Sequence, residues 1–207
     1  MSKYIIIGAG GHGRVALDAL LCLESEIIGF TEHDTSLCGA LVDGVSIIGD
    51  DDSVLRYATD EVLLVNGIGS VGSTARRQEV YERFKAKGYR FATVIHPSAV
   101  VSSRAILGEG VQVLAGAVIN TGVRIGDNTI INTRASIDHD VVIGNHVHIA
   151  PGVTVSGGVT VEDGTHIGTG ASIIQGVHIG AGVIIGAGSV VLHDIAAGSK
   201  VYGVPAK

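Results

Sequence analysis

Asp138, His139 and Asp140 place an imidazole between two carboxylates, an arrangement that raises a histidine's basicity and fixes its tautomer. They close the densest polar run of the chain's second half, Asn132-Thr133-Arg134-Ala135-Ser136-Ile137-Asp138-His139-Asp140, with His146 and His148 just beyond. Ser156-Gly157-Gly158 offers a backbone amide with no side chain over it. A base beside an oxyanion donor is the minimum set for acyl transfer by direct attack. A covalent acyl-enzyme route has less support. Cys22 and Cys38 both lie in the first half, and no G-x-S-x-G elbow occurs.

A second group of chemical interest opens the chain. Gly8, Gly10 and Gly13 fit G-x-G-x-x-G after the apolar run Tyr4-Ile5-Ile6-Ile7, and Thr31-Glu32 ends the next apolar run. Unpaired amides and the positive end of a helix at Gly10-Gly11-His12-Gly13 suit a diphosphate. Taken literally, the motif predicts an NAD-binding oxidoreductase. The second mononucleotide-binding half is missing, however, so one nucleoside diphosphate, such as a nucleotide sugar, fits better. Glycines serving only a tight turn are the plainer alternative.

These residues need elements to hold them. From Val101 to Val191 an aliphatic residue recurs at every sixth position, 16 in succession. A small or β-branched residue precedes each by two, and glycine often follows. This period predicts a parallel β-helix. Three hexapeptides close a triangular coil of about 18 residues, and coils stack at roughly 4.8 Å, so about five coils make a prism roughly 24 Å long. His139 should then lie one coil below Gly157, and His148 one coil below His166. The pattern does not set the hand; general crossover rules favour the right. An ice-binding prism would carry a threonine ladder, and none is present. Metal-binding histidines as in β-helical carbonic anhydrases are a further alternative, but the spacing does not match, and no metal site is expected.

In the first half, strands at 4–7, 26–30, 62–65 and 91–95 alternate with helices. The first helix has Val15, Leu17, Leu20 and Leu21 at helical spacing. The second spans about 73–87, with Val80, Tyr81 and Phe84 on one face. This predicts a small parallel α/β sheet. With 207 residues and 46% apolar content, two compact domains fit. A formal charge of −6 disfavours nucleic acid and anionic membrane as partners. The two cysteines, without disulfide or metal spacing, and the lack of a long apolar segment predict a cytoplasmic protein with no membrane insertion.

Together the residues resemble bacterial sugar O- and N-acyltransferases of the NeuD/PglD/PerB type. The likeness rests on Ile7-Gly8-Ala9-Gly10-Gly11-His12-Gly13, Gly67-Ile68-Gly69, Ile95-His96-Pro97-Ser98-Ala99, Asn132-Thr133, Asp138-His139-Asp140 and Gly203-Val204-Pro205-Ala206-Lys207. It implies a Rossmann-like domain over residues 1–96, a left-handed parallel β-helix over 97–192 and a C-terminal tail over 193–207. It also implies an acetyl-CoA-dependent N-acetyltransferase acting on the 4-amino group of a UDP- or GDP-linked 4-amino-4,6-dideoxy sugar in surface polysaccharide biosynthesis. O-acetylation of sialic acid is the alternative within the class. By residue match, His139 is the general base, Asp140 orients it and the Gly157 amide contacts the thioester carbonyl. His148 lies by the thioester, and Asn132 lines the acceptor-sugar pocket. Gly10, Gly11, His12 and Gly13 hold the diphosphate, with Thr31 and Glu32 standing where members carry an acidic pair. Coenzyme A lies between subunits of a homotrimer, with Gly168, Gly170, Gly186 and Gly188 as its backbone contacts.

Overall fold

The computed structural model describes residues 3–207. Strand β1 (Lys3–Ile7) is an apolar run whose Ile5, Ile6 and Ile7 are all fully buried, as befits a central parallel strand covered on both faces. Helix α1 (Gly11–Leu21), β2 (Glu26–Thr31), β3 (Leu41–Val42), β4 (Val45–Gly49), β5 (Val62–Asn66) and helix α2 (Ala75–Lys85) follow. The sheet order is β3-β4-β2-β1-β5, parallel except for the β3–β4 hairpin. Ile6 packs in the cluster with Ala16, Leu17 and Leu20 of α1, while Ile5 and Ile7 pack with Val80, Tyr81 and Phe84 of α2. The helices therefore cover opposite faces.

One expectation about these helices needs correction, and the other gains a residue. The buried stripe of α1 is Gly13, Ala16, Leu17, Ala19 and Leu20, whereas Val15 and Leu21 are 43% and 51% exposed. Close approach at Gly13 sets the helix rotation. A Cβ there would lie 2.1 Å from the Gly8 carbonyl oxygen. On α2, Arg77 joins the expected Val80, Tyr81 and Phe84 on the buried face.

The strand expected over 91–95 divides between the domains. Phe91 bridges Leu64 of the first sheet, but Val94–Ile95 pairs with Gln112–Val113 and forms the prism's first rung. From there two-residue strands run in one direction on three faces. The first face is stacked through Gln112, Ile130, His148, His166 and Ile184. The second runs through Val100, Val118, Ser136, Thr154, Ser172 and Val190, and the third through Ile106, Arg124, Val142, Thr160 and His178. Inward pairs such as Ala135/Ile137, Val141/Ile143 and Val153/Val155 build one continuous apolar core. The last residues add to the stack: Ile195 bridges Ile179, and Lys200–Val201 pairs with Ile184–Ile185. No described helix is long and apolar enough to cross a membrane.

The α/β domain rests on the first face. Asn66, at the end of β5, donates to Asn128 Oδ1 at 3.1 Å. Thr74 Oγ1 donates to the Gly164 carbonyl at 3.0 Å, and Lys85 pairs with Glu109 at 2.7 Å. At the centre, the buried Arg77 guanidinium donates to the carbonyls of Asn66 (2.7 Å), Ile68 (2.9 Å) and Asn128 (3.1 Å).

Candidate active site

His139 occupies the corner between the second and third faces. Its Nδ1 lies 3.0 Å from Asp140 Oδ2. That bond and the nearby charge of Asp138 hold the imidazole above the usual histidine range. With the Nδ1 proton donated to Asp140, Nε2 keeps its lone pair. The ring lies against Gly157 one coil above: a Cβ on Gly157 would sit 2.7 Å from both Cε1 and Nε2. Glycine is demanded here by the imidazole, since no backbone atom crowds the position.

Among the described residues, the Gly157 amide is one of several corner amides in the prism without a partner, along with those of Ala115, Thr121, Thr169 and Gln175, and it is the one set against the His139 ring. Ladder hydrogen bonds pass over the second residue of each corner, and at three successive corners between the third and first faces a side chain of the next coil caps it instead. Asp127 caps the Glu109 amide, Asn145 caps Asp127 and Asp163 caps Asn145, at 2.7–2.8 Å. Gln175 stands above Gly157 and makes no such bond, so among the described residues this N–H has no acceptor. An imidazole lone pair and an unpaired amide thus share one corner.

The second constellation is a cavity of about 750 Å³ between the domains, lined among others by Gly10, Gly11, His12, Glu32, Asp51, Ser70, Asn132 and His148. A Cβ on Gly10 or Gly11 would meet nothing within 4 Å, whereas on Gly13 it would strike Gly8. Gly13 thus serves the turn, and Gly10 and Gly11 leave backbone open to an occupant. Thr31 does not line the cavity. It is fully buried, and its hydroxyl donates to Asp51 Oδ1 at 2.7 Å, so it steadies a residue that does. Glu32 reaches the cavity, but its carboxylate already accepts from the amides of Ala9 (3.1 Å) and His33 (2.9 Å).

Hydrogen-bond partners assign the protons of two cavity histidines. The Thr133 amide donates to Asn132 Oδ1 at 2.8 Å, so Asn132 Nδ2 faces His148 Nε2 at 3.1 Å as donor. His148 Nδ1 therefore carries the proton and turns it to Ser70, whose hydroxyl and carbonyl both approach it. Likewise Gln112 Nε2 donates to the Asn66 carbonyl at 2.8 Å, so Gln112 Oε1 accepts from His12 Nε2, 2.7 Å away. Burial keeps both rings neutral, pushing His12 down to about 4 and His148, which also feels His166, down to about 3. His148 has both nitrogens engaged and is placed to shape the cavity. Ser70 escaped the sequence reading because it lies in the other domain. The only signal was its position just after the Gly67-Ile68-Gly69 turn.

Gly168, Gly170, Gly186 and Gly188 stack in the corner between the first and second faces, the same column as Asn132 and Pro151. Their presence has structural reasons. A Cβ on Gly168 would lie 2.6 Å from the Ala187 amide nitrogen, and one on Gly186 would lie 2.3 Å from the Tyr202 ring. Gly170 and Gly188 take φ of +69°. Within one chain this column and the cavity lie one corner away from His139 and Gly157, which line no part of the cavity.

Comparison with known proteins accounts for both halves. Residues 3–84 match the PglD N-terminal domain, and residues 122–157 and 158–193 each match the bacterial transferase hexapeptide (six repeats). A UDP-N-acetylbacillosamine N-acetyltransferase of Bacillus subtilis (strain 168) is 38% identical over 125 residues, covering 56% of this chain and 52% of that protein. The match thus spans about half the length of that curated relative. The acetyltransferase domain of PglB from Neisseria gonorrhoeae superposes with a TM-score of 0.93 at 36% identity, covering 100% of this chain and 99% of that one. PerB from Caulobacter crescentus, in complex with CoA and GDP-perosamine, does so with a TM-score of 0.92 at 38% identity, covering 100% and 97%. A full-length likeness at this identity, with a left-handed hexapeptide prism behind a Rossmann-like domain, shows that the chain belongs to the hexapeptide-repeat acetyltransferase family that carries a PglD N-terminal domain.

Proposed function

We propose that the protein transfers an acetyl group from acetyl-CoA to the 4-amino group of a nucleotide-linked 4-amino-4,6-dideoxy sugar. The observation that carries this reading is the pairing of His139, bonded to Asp140, with the uncapped Gly157 amide at one corner. The cavity suits the acceptor. Its open Gly10–Gly11 backbone at the α1 N-terminus meets a diphosphate, and its neutral, hydrogen-bonded histidines surround the sugar. The sugar amine attacks the thioester carbonyl carbon as His139 Nε2 removes a proton from nitrogen. The Gly157 N–H holds the developing oxyanion, the C–S bond breaks, and the proton passes to the departing CoA thiolate. No covalent enzyme intermediate is needed. Because cavity and base occupy different corners of one chain, a neighbouring copy in a homotrimer supplies the base.

The test is CoA release measured over a panel of UDP- and GDP-linked 4-amino sugars beside free sialic acid. The reading expects turnover with a nucleotide-linked amine, and His139→Ala should lower kcat by ~10²–10⁴ without loss of fold. Turnover confined to a free sugar hydroxyl would replace N-acetylation by O-acetylation, and undiminished kcat in His139→Ala would remove the base.

A further inference from the structure

Away from the cavity, Asp18, Cys22 and His96 converge, with one donor atom of each within 4.8 Å of the other two. Asp18 and Cys22 lie one helical turn apart at the end of α1, so both side chains leave the same face. His96 comes from the start of the prism, where its backbone N–H is fixed to the Val113 carbonyl at 2.9 Å. Its Nδ1 accepts from the Ser98 amide (3.0 Å) and lies 2.8 Å from the Ser98 hydroxyl, so the metal-free ring carries its proton on Nε2, the nitrogen without a protein partner among the described residues. Among the described residues, no hydrogen bond or ion pair within 4.0 Å links the three side chains to one another.

We propose that Asp18, Cys22 and His96 form a binding site for a borderline-soft divalent cation of the zinc class. A carboxylate and a thiolate together neutralise a dication, and the sulfur and imidazole donors disfavour magnesium and calcium. Three protein ligands leave a fourth, tetrahedral position for water. Bonds of roughly 2.0–2.3 Å bring ligand atoms to about 3.3–3.8 Å apart, a contraction that the exposed side chains of Asp18 and Cys22 reach by rotation. Coordination through Nε2 moves the His96 proton to Nδ1, which gives up the bond from the Ser98 amide and donates instead to the Ser98 hydroxyl, the usual support for a ligating histidine. Cys22 gives up its thiol proton on binding, so affinity falls as pH falls. The ion would tie the C-terminal end of α1 to the prism, while the other end of that helix borders the cavity at Gly11 and His12.

Titration of the full-length, chelator-treated protein with Co²⁺ tests the site. One equivalent should produce a thiolate-to-cobalt charge-transfer band and four-coordinate d–d bands, both displaced by Zn²⁺. Cys22→Ser should abolish the charge-transfer band, and Asp18→Asn should weaken binding at least about tenfold. Cys38→Ser should change neither. Cys22 and Asp18 are exposed, so both variants keep the fold, and circular dichroism checks this. Absence of the thiolate band, its persistence in Cys22→Ser, or its loss only in Cys38→Ser would overturn the assignment.

Discussion

Asp140 holds its corner at a φ of +59°, in the left-handed region, and Gly158 directly above it has +67°. Most turns of the prism place glycine there; Asn128, Arg134, Asp140 and His146 depart from it in succession. A side chain in that conformation is disfavoured by roughly 1 kcal/mol, so the fold alone would favour glycine and the carboxylate serves His139. Asp140→Gly should therefore melt at the same or a higher temperature, by up to ~1 kcal/mol, while kcat falls. The ascending limb of its rate–pH profile should move to lower pH, because His139 loses the bond that raises it. A variant with a lower melting temperature and unchanged kcat would leave Asp140 a turn residue. His12 and His148 act in the opposite sense. Their folded values of about 4 and about 3 lie below the ordinary 6.5, so between these limits the unfolded chain binds more protons. Their contribution is complete above pH 6.5 and declines as pH falls, by up to about 1.4 kcal/mol per pH unit for each histidine. Urea unfolding of His148→Gln at pH 4 to 7 should show a shallower slope than the parent, and equal slopes would mean the ring is charged in the fold. The neighbours of His139 could be read from the sequence because the coil period fixes what lies above each residue. Those of His148 could not, since Ser70 arrives from a separate domain.

Helix α1 and the turn that feeds it divide their glycines between folding and binding. At Gly13 a methyl group would lie 2.1 Å from a backbone oxygen, whereas at Gly11 it would meet open space. Gly13→Ala should then cost about 2 kcal/mol or more through overpacking. Gly11→Ala should leave stability unchanged or raise it by up to ~1 kcal/mol, since alanine is the better helix former, yet weaken binding of a nucleoside diphosphate. Melting curves with and without UDP or GDP separate the two effects. A Gly11→Ala protein stabilised by nucleotide as much as the parent would place the diphosphate elsewhere. The motif announced this turn, but spacing alone could not tell which glycine does which task. The β3–β4 hairpin was not anticipated, because two-residue Leu41–Val42 has too short an alternation to register. Val94–Ile95 pairs with the prism and not with the first sheet, a choice its residues do not encode, because a strand's sequence specifies its pleat but not its partner.

At the scale of the molecule, the two domains and their kinds were legible, and the seam between them was not. Arg77, Asn66, Asn128 and Gln112 are all buried at that seam, yet amide and guanidinium groups read as surface until their partners are known. The seam matters because it forms the cavity, and the cavity does not contain the proposed base. His139 follows Asn132 by one corner, up to ~25 Å of chain, and faces another side of the prism. If each site takes its cavity from one copy and its base from the next, two inactive variants should rescue one another. His139→Ala keeps an intact cavity. Gly11→Leu keeps an intact base and fills the cavity from a position with no neighbour within 4 Å. Co-refolded in equal amounts, a cyclic trimer draws each half of a site independently, so about one site in four regains both. Activity near a quarter of the parent, absent when the variants are mixed without subunit exchange, is the expected outcome. No recovery after verified exchange would mean that base and cavity belong to the same copy, and the chain would then have to bend its own corner toward the acceptor.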